Sequence, residues 1–372
     1  MMVYIGLTYF FLSLLVSCSF EIPSNKEQDD PYTNNLLKNL TEKSITQNII
    51  SLPEDIVQPV MIEILNNRKS IIIADNAKKK LFFLDEDGEI LSVTGRSGRG
   101  PGEFELITGT HIGNDDHMYV HDAILKRITV YAVENNELRL LDTIVYETPE
   151  SHTLYNIFIN KQGIYGLYNE SEGFHTPENR YILYQLDKNF KPIEQKLTFP
   201  GEIRKVRNTG DFLLYGPHDY SNDYLWSHND NMFYYTNNYE ALIKGYPFQT
   251  EEDIVIYETN LPVRPNNDYY LATADSAYNF DSNKDYWAYL ENLETLPVLS
   301  GIWTDNTHII LSIRPAPGDD IVMLWLHQEK NGMSYFMLPA ETGVTRYKEN
   351  ILYSIVEEKD GKHYLIKTMF ES

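Results

Sequence analysis

The feature that most constrains this chain is a period of 47 residues. RKSIIIADNAKKKLFFLDEDGEIL (residues 68–91) and HMYVHDAILKRITVYAVENNELRL (residues 117–140) present the same parts in the same order: an apolar strand, an Asp, a polar turn with Lys, a second strand, an acidic turn and a third strand. Asp75 and Asp122 are 47 residues apart, and so are Leu81 and Ile128. A unit of this kind cannot bury its apolar face alone, so copies must pack against one another. Asp87-Gly88 is a favoured hairpin turn, which makes each unit a set of short antiparallel strands. DEDGE fits that hairpin better than a calcium loop, which would need further oxygen ligands, a closing Glu and flanking helices.

Between the two units lies GRSGRGPGEF (residues 95–104), with four glycines and Pro101. Glycine supplies positive φ and proline removes a backbone donor, so this is a tight connector. Neither the Lys-Ser/Thr of a P-loop nor the helix of a dinucleotide fingerprint follows Gly102. Looser units follow: NIFINKQGIYGLYNE with ENRYILYQLDKNFKPIEQKLTF, RNTGDFLLYG with NDNMFYYTNNYEALIKGYPF, THIILSIRP with DIVMLWLHQEKNGMSYFML, and NILYSIVEEKDGKHYLIKTMF. Four-stranded units of this length are the size of propeller blades.

Residues 260–297 break the pattern. Tyr286, Tyr289, Leu290, Leu293 and Leu296 recur at spacings of three and four, Ser282 with Asp285 has capping-box spacing, and Pro297 ends the run. The expectation is an all-β, six-bladed β-propeller over residues 48–372, with blades of about 47 residues and a short helical insertion near 276–296. The last unit supplies about three strands, so SITQNIISL or PVMIEIL from the N-terminal side would complete it and leave no open ring.

Residues 1–17 carry no charged side chain and form an apolar run too short for a membrane span, as in a signal peptide. No Lys or Arg precedes that core, so the terminal amine alone supplies its positive end. The run closes on Leu15, Val16, Ser17 and Cys18, the only cysteine of 372 residues. This ending resembles the lipobox of bacterial lipoproteins, which implies lipidation at Cys18 and sorting to a Gram-negative envelope. Ser19 after the cysteine implies the outer membrane, facing either the periplasm or the surface. Residues 18–47 read as a polar tether.

IIIADNAKKKLFFLDEDGEILSVTGRSGRGPGEF resembles the repeat of NHL and TolB-like six-bladed propellers, and together with the lipobox it is similar to six-bladed propeller lipoproteins of Gram-negative bacteria. That resemblance implies fold and envelope location. Asp75 and Asp122 match the repeat's Asp, whose expected role is in a turn.

A net charge of −23 argues against nucleic acid and anionic membrane surfaces as direct partners. Peptides, glycans and envelope proteins remain open, with the membrane reached through the N-terminal lipid. No catalytic residue, metal ligand set or cofactor motif is identified. Asp115, Asp116 and His117, His121 and Asp122, His218 and Asp219, and His228 and Asp230 lie close in sequence, but without zinc-ligand spacing, and turns bring such residues together by composition alone. There is no GxSxG elbow, and among 54 acids no glycosidase pair stands out. The 28 Tyr, 16 Phe and 4 Trp offer stacking faces, with Trp226, Tyr234, Tyr235 and Trp287 as candidates, although strands favour aromatics for packing. The favoured function is a non-enzymatic ligand-binding or protein-interaction scaffold. The alternative is a metal-dependent hydrolase or lyase with its site in the central channel.

Overall fold

The computed structural model describes residues 30–371 except 66–69, 114, 171–178, 202–204, 209–212, 217–222, 251, 260, 267–292, 317–318 and 329–331. The described chain begins with helix α1 (Pro31–Leu37), strand β1 (Thr41–Glu42) and strand β2 (Ile45–Ser51). Six four-stranded blades follow. Blade 1 is β3 (Pro59–Ile64), β4 (Ile71–Asp75), β5 (Lys80–Leu84) and β6 (Ile90–Thr94); blade 2 is β7 (Ile107–Ile112), β8 (His117–Asp122), β9 (Arg127–Glu134) and β10 (Glu137–Val145). Blade 3 is β11 (His152–Asn160), β12 (Gly163–Glu170), β13 (Arg180–Leu186) and β14 (Pro192–Pro200), after which β15 (Lys205–Asn208) and β16 (Leu213–Gly216) form a separate hairpin. Blade 4 is β17 (Tyr224–His228), β18 (Met232–Asn237), β19 (Ala241–Pro247) and β20 (Ile254–Thr259), followed by the small pair β21 (Arg264–Pro265) and β22 (Thr295–Leu296). Blade 5 is β23 (Leu299–Thr304), β24 (His308–Ile313), β25 (Ile321–His327) and β26 (Met333–Leu338). Blade 6 is β27 (Thr342–Lys348), β28 (Ile351–Glu357) and β29 (His363–Phe370), completed by β2.

The burial pattern explains why these sequences make blades. Middle strands such as β4 (IIIAD) are covered on both faces and buried along their whole length, as a strand between two packed sheets must be, and they read as continuous apolar runs. The outermost strand β6 (ILSVT) alternates half-buried and exposed positions, the period-two pattern of an edge. Between blades the apolar side chains interlock: Phe82 and Ile62 join Tyr353 and Leu365, while Phe83 and Leu81 join Met118 and Tyr131.

Closure uses SITQNIISL. Strand β2 runs antiparallel to β29 from Ile45 opposite Phe370 to Ser51 opposite Tyr364, and the Leu52 amide continues the ladder to the His363 carbonyl at 2.9 Å. PVMIEIL instead contains β3, the inner strand of blade 1.

Two expectations change, and a third falls mainly outside the described residues. Residues 30–47, read as tether, are docked on the propeller: Asp30 caps α1, Tyr32 and Leu36 enter the core beside Tyr234, Val298 and Leu311, and β1 pairs in parallel with β26. Their overall polarity hid the docking, because the apolar residues that enter the core, Tyr32 and Leu36, are few and their partners lie far along the chain. RNTGDFLLYG does not supply a strand of blade 4; it contributes to the β15–β16 hairpin, and YLWSH (β17) takes the inner position. The helical expectation for 276–296 falls mainly on residues 276–292, outside those described, and Thr295–Leu296 at its end is a strand. Residues 1–29, including Cys18, also lie outside the described residues.

Candidate functional site

Each blade contributes its first strand to the wall of the central channel: β3, β7, β11, β17, β23 and β27. The end of the channel where these strands begin is the upstream mouth, and the end where they finish is the downstream mouth. The two mouths have different chemistry.

At the upstream mouth the repeat's Asp residues staple turns. Asp75 is fully buried and accepts the backbone N–H groups of Val57 (2.7 Å), Gln58 (2.6 Å) and Lys78 (2.7 Å). Asp122 repeats this with Glu105 (2.8 Å), Leu106 (3.2 Å) and Leu125 (2.9 Å). One carboxylate thus ties the approach to the inner strand to the turn after the second strand, the structural role expected of it.

GRSGRGPGEF is held in the same way by local charge. Glu103 accepts Nε of Arg96 at 2.8 Å and the Gly100 amide at 2.7 Å, while Arg99 pairs with Glu105. From below, the buried Arg127 donates to the carbonyls of Arg99, Gly100 and Glu103. Gly95 is required: its φ is +93°, and a Cβ there would lie 2.8 Å from the buried Phe104 ring. The loop arginines are engaged by acids, and the loop connects blade 1 to blade 2.

The downstream mouth carries a belt of side chains that passes through all six inner strands. Arg346 on β27 meets Glu63 on β3 at 3.3 Å, and Lys348 donates to the Ile64 carbonyl at 2.7 Å. Glu63 accepts the Thr110 hydroxyl from β7 at 3.0 Å, and the adjacent His111 places Nε2 2.7 Å from the Ile159 carbonyl of β11. Phe158 of β11 stacks on His228 of β17 with ring centroids 4.1 Å apart, and His228 lies 5.6 Å from His111. Thr304 of β23 donates to Ser227 of β17 at 3.1 Å, and the Trp303 indole donates to the Thr345 carbonyl of β27 at 3.3 Å. The circuit closes there.

Burial sets the protonation of this belt. It pushes the Glu63 carboxyl upward against the lowering influence of Arg346 and Thr110. It pushes His111 down to about 4, aided by the charges of Arg346 and Lys348. His228 falls well below the ordinary histidine value through burial, His111 and Arg346. Both imidazoles are therefore neutral at pH 7. Since His111 Nε2 faces a carbonyl, which can only accept, that nitrogen carries the proton and Nδ1 is the basic one.

Of the groups singled out in sequence, His228 enters the belt, and Asp230 lies beside it, 3.8 Å from Lys161. His121 is a core residue, fully buried with Nε2 2.6 Å from the Tyr146 hydroxyl and Nδ1 3.1 Å from Thr108. Asp115 and His117 pair on the surface at 3.0 Å. His218, Asp219 and Trp287 are outside the described residues. Tyr234 and Tyr235 are buried core rings, and Trp226 stacks on Phe233 at 5.9 Å, so these aromatics pack. Among the described residues no three His, Cys, Asp or Glu side chains converge on a metal position. Sequence reasoning missed Glu63, His111, Arg346 and Lys348. The available signal was a lone charged or polar residue inside an apolar inner strand, as in PVMIEI and ITGTHI.

Comparison with known proteins supports the architecture. A family model described as a six-bladed beta-propeller matches residues 54–210. Solved structures of similar shape include a protein from Bacteroides fragilis NCTC 9343 that carries a provisional name as an exported protein, with TM-score 0.57 and 10% identity over 90% of this chain and 99% of that one. A member of the DUF4221 family from Bacteroides vulgatus ATCC 8482 has TM-score 0.56 and 9% identity over 90% and 99%, and U3-55K has 0.51 and 11% over 86% and 98%. A search of curated proteins finds no match. At these identities the likeness is one of fold, and the fold is an all-β six-bladed propeller.

Proposed function

We propose that this protein is an envelope-anchored lipoprotein whose propeller acts as a ligand-binding or interaction scaffold, with the downstream mouth of the channel as its binding site. The observation that carries the reading is the belt: charged, imidazole and hydroxyl groups from five inner strands, joined by the Phe158 ring and the Ile159 carbonyl of the sixth, meet at one end of the channel. A pore wall needs packing alone, and convergent polar groups in a largely apolar setting are the usual mark of a ligand site.

Anchoring rests on the lipobox-like ending at Cys18. Asp30 is tied to the upstream side through Arg264 and lies 12 residues after Cys18. A linker of that length reaches at most about 40 Å, so a lipid at Cys18 keeps the propeller close to the bilayer. Cys18→Ala is expected to abolish labelling by a fatty-acid analogue and release the protein from membranes; membrane association that persists unchanged refutes the anchor.

For the site, thermal shift of the full chain in detergent against glycans, peptides and organic acids is expected to find a class that stabilises the wild type but not the folded double variant Glu63→Gln/Arg346→Gln. Stabilisation that the double variant retains in full moves the site away from the belt.

A further inference from the structure

Blade 2 differs from blade 1 along one row of residues. Strand β9 carries Arg127, Thr129 and Tyr131 on the face turned toward blade 1, where Tyr131 packs with Phe83, Phe104 and Met118. Forty-seven residues earlier the same positions are Lys80, Phe82 and Leu84, and there Phe82 and Leu84 lie in an apolar cluster with blade 6. Packing one blade on the next therefore asks for apolar side chains at the second and third of these places, and blade 2 has hydroxyls there instead. On the adjoining strand Thr143 stands opposite Thr129 and adds a third hydroxyl to the same face.

These groups are buried and unmet by the protein. Arg127 is 5% exposed, and Thr129 and Tyr131 are 0% exposed. Among the described residues no hydrogen-bond partner reaches Nε of Arg127, Oγ1 of Thr129, the Tyr131 hydroxyl or Oγ1 of Thr143. The other two nitrogens of the guanidinium are used: Nη1 donates to the Arg99 carbonyl at 2.8 Å, and Nη2 to the carbonyls of Gly100 and Glu103. The Tyr131 hydroxyl reaches the same loop, 3.6 Å from where a Cβ on Gly102 would stand. It is near enough to Arg127 for that charge to oppose the upward push that burial gives the phenol. Both ends of the row therefore lie under GRSGRGPGEF, with Thr129 between them.

A buried donor left unmet is costly, and native interiors meet such groups with protein or with ordered water. Nε of Arg127 can only donate, whereas each hydroxyl can donate and accept. Water completes this set, accepting from Nε and exchanging hydrogen bonds with the hydroxyls; a buried water usually makes about three. An anion is disfavoured, because Asp122 stands opposite Arg127 in register and Glu103 is held in the loop above.

We propose that the interface between blade 2 and GRSGRGPGEF is a closed water-binding site, in which ordered water joins Arg127 Nε to the hydroxyls of Thr129, Tyr131 and Thr143. The connector between the first two blades is then held from inside by bound solvent as well as by the Arg127 guanidinium.

The test is denaturant unfolding of the full chain in detergent. Thr129→Val keeps the branched shape and lacks the hydroxyl. It is expected to unfold at a lower denaturant concentration than the wild type, because the water loses a partner and the remaining groups lose their bridge. A shift to higher concentration, as when an unmet buried hydroxyl becomes apolar, overturns the proposal. Tyr131→Phe is expected to shift the midpoint in the same direction, and the double variant to lose less than the two single losses together, since both act on one site. Losses that simply add overturn the shared site. Exchanging chloride for gluconate at constant ionic strength is expected to leave the difference between wild type and Thr129→Val unchanged; stabilisation by chloride that Thr129→Val abolishes overturns water and assigns an anion. Should a variant fail to fold, a crystal structure of the wild type decides: ordered water among the four groups is expected, and hydroxyls bonded to protein atoms instead overturn the proposal.

Discussion

Blades 1 and 2 and the junction of blades 4 and 5 stabilise the same upstream side of the ring by different means. In the first two blades, Asp75 and Asp122 each gather three backbone N–H groups from within 18 residues of themselves. At the later junction the polar contact is delivered from the other end of the chain. Asp30 caps α1 through the amides of Tyr32 and Thr33 and meets Arg264 at 2.7 Å, both partners being only 1% exposed. Arg264 also donates to the Arg314 carbonyl, and the Tyr32 hydroxyl reaches the Pro262 carbonyl at 2.8 Å. The contrast shows that a blade with its own staple can show its period in sequence, whereas a blade held by a distant segment has no need to.

Removing the distant clamp should have the largest effect. Asp30→Ala strands the Arg264 charge in the interior and uncaps α1, which is expected to cost about 3–5 kcal/mol in denaturant unfolding. The pair Asp30→Leu/Arg264→Met, which buries no charge, should recover much of that loss. A loss under about 1 kcal/mol for Asp30→Ala would show that the segment is not clamped there.

Removing a local staple should cost less, and equally in both blades. Asp75→Ala and Asp122→Ala each leave three amides without their acceptor and are expected to destabilise by about 2–3 kcal/mol. Unequal losses would break the equivalence of the two blades.

The smallest effect concerns pH. His121, beside Asp122 in blade 2, is held down to about 4 by burial, below its ordinary value in the unfolded chain. The unfolded state therefore takes up the proton first on acidification, so the stability contributed by neutral His121 is present above about pH 6.5 and is lost as pH falls toward 4. At pH 5 that loss is about 2 kcal/mol relative to pH 7.5. His121→Gln should gain on the wild type by that amount in unfolding measured at the two values, and a constant difference would show that His121 is not buried neutral.

The sequence by itself determined the blade. Alternation in ILSVT, continuous apolar runs such as IIIAD and the Asp87-Gly88 turn act within a few residues, so they fixed strands and hairpins wherever the local pattern was strong. The 47-residue spacing of Asp75 and Asp122 followed because each Asp serves its own blade. From that period the six-bladed ring could be read, as could the need for an N-terminal strand to seal it. Tertiary structure decided the rest. Asp30 and Arg264 are 234 positions apart, and Lys348 and Ile64 are 284 apart. No local pattern records such partners, because ring closure alone makes them neighbours. The belt at the downstream mouth was hidden for the same reason: Glu63, His111, His228 and Arg346 are single polar residues on separate strands, and their chemistry exists only once those strands stand around one channel.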